Sequence, residues 1–457
     1  MLSNGLKKTF VEKDWIFWTI FIIVQIGTLI NLAILPYLPI FPLISILLLI
    51  LITSYYFPKV LLTLIVISIL ASEELYFELG LVVVRIIDII LLITILYMFM
   101  KWLLQSKMKI ESLPIFKFAL GLIILMAFIS LIGTLSVSNS LFEILQIIEL
   151  VIAAILFFNL IKTESDIKLV LSTILIYSIV DALWIFIQYW HGDLIGRHIG
   201  LFGTLANELS YGVALSVGFF YLIRKKWLRF AILMSGAFQI SAIYLTKGRG
   251  LFITAIIMAL VCSLLFAMYR RRYLSFVYIA AMILIACLVS FWVFSSEIQA
   301  RYTSIIEGGQ MRDLRLIYWA VALKVWQNYP LFGVGVGNIK LASVQFTPKP
   351  FGLAFVALGQ GMESPHNEYL SFAMQAGWIG FISGIIFYMI LLWNSIRLYL
   401  KSRFQNKEYS VLLLSFVIGL IIWNIANDVL LAGKGILVML FISILSRMHA
   451  IHEDYRI

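Results

Sequence analysis

Five histidines occur in the 457 residues, and His366 stands in the segment Ser364-Pro365-His366-Asn367-Glu368-Tyr369-Leu370. Ser364 is suited to cap a helix and Pro365 to occupy its first position. His366 would then lie in the first turn, where the positive end of the helix dipole disfavours imidazolium. A neutral imidazole is what a general base needs to take a proton from a hydroxyl at neutral pH. The plainer alternative is a histidine at a water interface with no chemical duty. His191 and His198, on one short connection, are rival candidates, whereas His449 and His452 lie near the C-terminal end.

Two sets of arginines could meet an anion. Arg312 to Tyr329 reads as an amphipathic helix, with Arg312, Arg315 and Trp319 on one stripe, and Pro330 ends it. The segment that follows, Leu331-Phe332-Gly333-Val334-Gly335-Val336-Gly337-Asn338, has glycines spaced to let backbone approach backbone or a ligand. An arginine here could grip a phosphate, because the guanidinium fork matches phosphate oxygens. The same helix could instead rest its arginines on lipid headgroups. The second set is Lys247-Gly248-Arg249-Gly250, where Arg249 opens a helix. An anion can gain from both the side chain and the helix N-terminus, and a snorkelling arginine in a tight turn is the alternative.

Other charges fall within apolar segments. Arg85 and Asp88 are spaced to pair on one helix, and Glu149 and Asp181 also interrupt apolar runs. Charges in a membrane span usually face a cavity or a partner. Together they suggest a polar cavity open to the outside, with structural ion pairing as the alternative for each. Asn424, Asn427 and Asp428 close another apolar run and are open to both readings. No Walker A, Asp-x-Asp, metal-ligand or Gly-x-Ser-x-Gly pattern occurs, so the sequence calls for neither metal nor cofactor.

The elements that must hold these residues are membrane helices. The chain is 63% hydrophobic and 12% charged, against roughly 45–50% and about 25% in soluble domains. Runs such as Ile20 to Leu35 carry no ionisable group, and about 20 apolar residues cross a bilayer as a helix. Fourteen spans are expected, near 15–35, 42–57, 60–73, 79–100, 114–134, 141–161, 168–190, 208–223, 230–246, 250–268, 273–295, 378–400, 409–427 and 432–449. The short second and third could merge or drop out, leaving twelve or thirteen.

The net charge of +11 does not point to nucleic acid, since lysines and arginines cluster at every second loop, as in Arg224-Lys225-Lys226 and Arg270-Arg271-Arg272. That is the positive-inside pattern, and it puts both termini in the cytoplasm. Lys7, Lys8 and Lys13 precede a full-length span, so no cleaved signal peptide is expected. Cys262 and Cys287 read as small core residues. The expected organisation is a membrane region over 1–295, a large external loop over 296–377 and a second membrane region over 378–457. The loop is basic, which the charge rule tolerates in long translocated segments.

Several segments resemble the O-antigen ligase and polymerase superfamily. Gly248-Arg249-Gly250 is similar to its Ser-Arg-Gly turn. Arg315-Leu-Ile-Tyr-Trp319 followed by Tyr329-Pro330-Leu-Phe-Gly333-Val-Gly335 is similar to its Arg-x-x-x-Trp and His-Pro-Leu-x-Gly-x-Gly segment. Pro365-His366-Asn367-Glu-Tyr369-Leu370 with Ala376-Gly377-Trp-Ile-Gly380 is similar to its His-Asn-x-x-Leu and Gly-x-x-Gly segment. Order and spacing agree over roughly 245–400, with Gly248 in place of serine and Tyr329 in place of histidine.

The resemblance implies an all-α, GT-C-like glycosyltransferase of the cytoplasmic membrane. Its donor would be a glycan on undecaprenyl pyrophosphate at the outer face. Arg249 and Arg315 would hold the pyrophosphate and stabilise it as leaving group, with Lys247, Arg312 and Asn367 completing the substrate-binding set. His366 would deprotonate the acceptor hydroxyl, inverting the sugar without metal. The acceptor could be another lipid-linked repeat, lipid A core or another hydroxyl, with a slight lean to a polymerase. A flippase and a chain-length regulator would be its working partners. The rival class is a transporter of lipid-linked oligosaccharide, which predicts paired halves with broken helices, and no such halves are visible.

Overall fold

The computed structural model describes residues 50–51, 53–54, 57–71, 76–79, 82–105, 110–113, 115–191, 208–246, 248–293, 314–346, 362, 364–402, 405–428, 430 and 435–454. The expected span at 15–35 and most of that at 42–57 lie outside them, as do Lys247, His198 and Arg312.

The chain forms two compact units. The smaller comprises Met1–Ser68 and Tyr76–Ile110. It holds most of α1 (Pro58–Leu70), a hairpin of β1 (Tyr76–Leu79) and β2 (Val82–Arg85), and α2 (Ile86–Gln105). The strands are antiparallel, with Tyr76 opposite Arg85 and Leu79 opposite Val82. A span over 79–100 is the expectation; the hairpin moves its start to Ile86, and the apolar helix from there remains. Val82, Val83 and Val84 are β-branched and favour a strand. The helix starts only at Ile86, where Asp88 in the first turn accepts the Arg85 backbone N–H at 2.8 Å. Arg85 and Asp88 do pair, at 3.0 Å. They do so across a strand–helix junction and not on one helix.

The larger unit comprises Ile69–Leu75 and Glu111–Ile457. Its helices are α3 (Lys117–Ile129), α4 (Val137–Leu160), α5 (Glu164–Trp190), α6 (Glu208–Leu222), α7 (Lys226–Leu245), α8 (Arg249–Arg270), α9 (Tyr273–Val293), α10 (Leu314–Asn328), α11 (Ile339–Phe346), α12 (Glu368–Lys401), α13 (Gln405–Trp423) and α14 (Gly435–Asp454). A 3-10 turn, Ser130–Gly133, follows α3. Eight helices among the described residues, α2, α4, α5, α7, α8, α9, α12 and α14, are long and apolar enough to cross a membrane. The chain is therefore a helical, multi-pass membrane protein.

Local chemistry sets the helix ends. Thr163 and Asp166 form a reciprocal capping box that starts α5. Arg271, left-handed at φ 52°, closes α8, and the neighbouring Arg270 pairs with Glu408 on α13. Buried α6 packs against α5, α7 and α8, and α14 packs against α4. Within α14, Arg447 donates to Phe158 O at 2.7 Å and to Glu111 Oε2 at 3.0 Å.

A glycine-rich turn after α10 clamps α12. Gly333, Gly335 and Gly337 all have positive φ, between 66° and 85°. A Cβ on Gly333 would stand 2.4 Å from the Ala376 nitrogen, so only glycine fits. Val334 N donates to Met374 O at 3.0 Å and Gly335 N to Gln375 O at 2.9 Å. On the other side, Leu135 N donates to Val334 O at 3.0 Å, and Asn338 Nδ2 donates to Thr134 and Ser140 at 2.9 Å each. Opposite this turn α12 breaks its helical path at Ala376 and Gly377 (φ 62°). Gly377 lies against the Pro330 and Leu331 carbonyls, and Trp378 N donates to Pro330 O at 2.7 Å. The expected loop-to-span boundary at 377/378 falls on this break. Gly333 and Gly337 approach backbone, that of α12 and of Asn139, whereas Gly335 packs on the Thr134 and Ser140 side chains.

Candidate functional site

The start of α12 differs from the expectation in a way that matters for His366. The N-cap is Asn367, not Ser364, because the Asn367 side chain accepts the Leu370 N–H at 3.0 Å. The helix begins at Glu368, so His366 precedes it and adopts the left-handed conformation at φ 50°. The dipole argument for a neutral first-turn histidine therefore does not apply. A different environment replaces it.

That environment is the turn following α13. The expected span at 409–427 ends early, at Trp423, so Asn424, Asn427 and Asp428 lie in a turn beyond the helix. Glu368 N donates to the carbonyls of Asn424 at 2.9 Å and Asn427 at 3.1 Å. Asn367 Nδ2 donates to Ile425 O at 3.0 Å. These bonds staple the two segments together and bring Asp428 beside His366, with Asp428 Oδ1 4.0 Å from His366 Nδ1. The Asp428 side chain is 3% exposed and that of His366 47%. Ser364 joins them: its hydroxyl accepts the His366 backbone N–H at 3.0 Å and donates to Asp428 Oδ2.

Burial pushes the Asp428 carboxyl above its ordinary range, while the Ser364 hydroxyl bond and the nearby imidazole act against that rise. A separation of 4.0 Å is too long for a hydrogen bond, so the present contact is electrostatic. A carboxylate on the Nδ1 side favours the tautomer with its proton on Nδ1, which leaves Nε2 as the acceptor.

Helix α10 brings an arginine to the same place. Tyr318 faces His366, with ring centroids 5.9 Å apart. One turn earlier on that helix is Arg315, half-buried. Its Nη1 lies 3.8 Å from where a Cβ on Gly250 would stand. Gly250 is the second residue of α8, directly after Arg249. The segments carrying Arg249, Arg315 and His366, read separately from the sequence, thus meet. Packing of α10 sets this arrangement: Val321, Ala322 and Val325 bury against Val334, Ile339 and Met374.

Asn367 is buried and occupied by the backbone as cap and tether. His191 caps the C-terminus of α5. Asp181 is fully buried on α5, electrostatically close to Tyr177, as is Glu208. Glu149 is half-buried on α4. Sequence reasoning left Asn427 and Asp428 undecided and gave no role to Tyr318. The signal for Asp428 was an acid closing an apolar run, and its partner was invisible until the turn closed on α12.

A family model described as O-antigen ligase matches residues 235–385, about a third of the chain. The match runs from within α7 to within α12 and includes Arg249, Arg315 and His366, which supports the resemblance to that superfamily. The comparison with curated proteins finds no match.

Proposed function

We propose that this multi-pass membrane protein is a glycosyltransferase that moves or polymerises undecaprenyl-pyrophosphate-linked glycan at the outer face of the cytoplasmic membrane. The observation that carries the reading is the meeting of Arg315 with the start of α8 at Gly250, together with the contact of Tyr318, on the same helix as Arg315, with His366, which stands beside Asp428. An arginine and a base brought together by one helix, the base through Tyr318 one turn along, suit a donor whose leaving group is a pyrophosphate. The match to the O-antigen ligase family over 235–385 supports the same substrate class.

In the proposed reaction His366 takes the proton of the acceptor hydroxyl. The acceptor oxygen bonds to the anomeric carbon as the bond from that carbon to the pyrophosphate oxygen breaks. The electron pair leaves with undecaprenyl pyrophosphate, and Arg315 and Arg249 stabilise its charge. Attack opposite the leaving group inverts the anomeric centre. Asp428 orients the imidazole and stabilises the imidazolium formed. No step calls for metal.

The positive-inside pattern supports cytoplasmic termini and a site open to the outside, in a GT-C-like fold of twelve to fourteen spans with the loop 296–377 as catalytic segment. The acceptor we favour is a second lipid-linked repeat, so a flippase and a chain-length regulator are the expected partners. Purified protein incubated with undecaprenyl-pyrophosphate oligosaccharide alone tests this. A ladder of longer lipid-linked glycan supports a polymerase. Transfer only after lipid A core is added assigns a ligase, and no transfer to either acceptor overturns the enzyme reading.

A further inference from the structure

Gly250 differs from the other glycines of the site. A Cβ on Gly377 would collide with backbone at 2.4 Å. One on Gly250 would stand 3.5 Å from Ala426 Cβ, 3.8 Å from Arg315 Nη1 and 3.9 Å from Asn427 Nδ2, all ordinary contact distances. Gly250 also lies in a helix with no positive φ, where alanine is favoured over glycine. Neither backbone geometry nor packing requires glycine here. What its lack of a side chain leaves is bare backbone at the start of α8, a notch faced by a guanidinium from α10 and an amide nitrogen from the turn after α13.

Two nitrogen donors from separate segments, each within 4 Å of the same point beside Gly250, match an anionic oxygen, and bonds of this kind are the stronger ones. Asn427 is held in place, since its own carbonyl accepts the Glu368 N–H at 3.1 Å. The same turn carries Asp428, so the notch and His366 share one support. We infer that the Gly250 notch is a subsite for a phosphate oxygen of the donor, with Asn427 as a second donor-binding residue beside Arg315. This rests on the proposed lipid-pyrophosphate donor.

The test is binding of undecaprenyl pyrophosphate to the purified full chain in detergent, with thermal unfolding measured in parallel. Gly250→Ala is expected to keep or raise the unfolding midpoint while weakening binding about tenfold, the scale of one charge-assisted hydrogen bond. Asn427→Ala should weaken binding by a similar factor, and Asn427→Asp by more, because a carboxylate repels the phosphate. If both Gly250→Ala and Asn427→Ala bind like wild type while Arg315→Ala does not, the subsite is wrong and the donor reading stands. If wild type itself does not bind the pyrophosphate lipid, the donor reading fails and takes the subsite with it. Should Asn427→Ala fail to fold, Gly250→Ala decides alone.

Discussion

His366 Nδ1 lies 4.0 Å from Oδ1 of Asp428, and the hydroxyl of Ser364 ties the two together. The histidine is nearly half exposed and the aspartate almost wholly buried. This is the polarity expected where the imidazole meets substrate and the carboxylate only orients it. Asp428→Asn should therefore lower turnover about a hundredfold or more with little change in donor affinity. Steady-state kinetics with a parallel binding measurement separates the two.

The same aspartate makes a pH prediction. Its carboxyl is raised by burial, so the folded state holds a proton at pH values where the unfolded chain has lost it. Stability from this group is present below the unfolded value and falls as pH rises through the folded one. Asp428→Asn removes that loss. The variant should unfold at the same temperature as wild type or higher at neutral pH, despite its lost activity. Thermal unfolding across pH checks this, and a variant less stable than wild type at every pH would contradict it.

Arg315 distinguishes charge from fork geometry. Arg315→Lys keeps the charge but loses paired donation, and should weaken donor binding about tenfold. Arg315→Ala should weaken it about a hundredfold and reduce turnover as well. Equal binding by the lysine variant and wild type would mean that the side chain acts only as a point charge.

Gly377 belongs to the scaffold. Its positive φ and the 2.4 Å approach of Leu331 and Pro330 backbone leave no room for a methyl. Gly377→Ala should cost about 3 kcal/mol or more and lower the unfolding midpoint. Gly250→Ala should not, and the contrast separates a structural glycine from one at the proposed donor subsite.

Much of this site was legible because its parts are local. Arg249, Arg315 and His366 each sit in a short pattern whose residue types announce a turn, a helix or a cap. The cap itself was misplaced by three residues. Ser364-Pro365 is the familiar opening, yet Asn367 wins, since its amide can both cap α12 and hold Ile425. The hairpin at Tyr76–Arg85 was hidden because three valines are as apolar in a strand as in a span. Asp428 stayed ambiguous for a different reason: its meaning is tertiary and arises only when the turn after α13 closes on α12. The pairing of Arg85 with Asp88 survived even though the element carrying it changed, because an ion pair at this spacing forms across a helix start as well as within a helix.

The most direct test of the central claim is the single-turnover transfer rate of His366→Ala, measured with donor saturating and donor affinity determined on the same preparation. The account predicts a rate reduced about 10²–10⁴-fold, as for loss of a general base, with affinity for undecaprenyl-pyrophosphate oligosaccharide close to wild type. A folded His366→Ala protein that transfers glycan at the wild-type rate would contradict it.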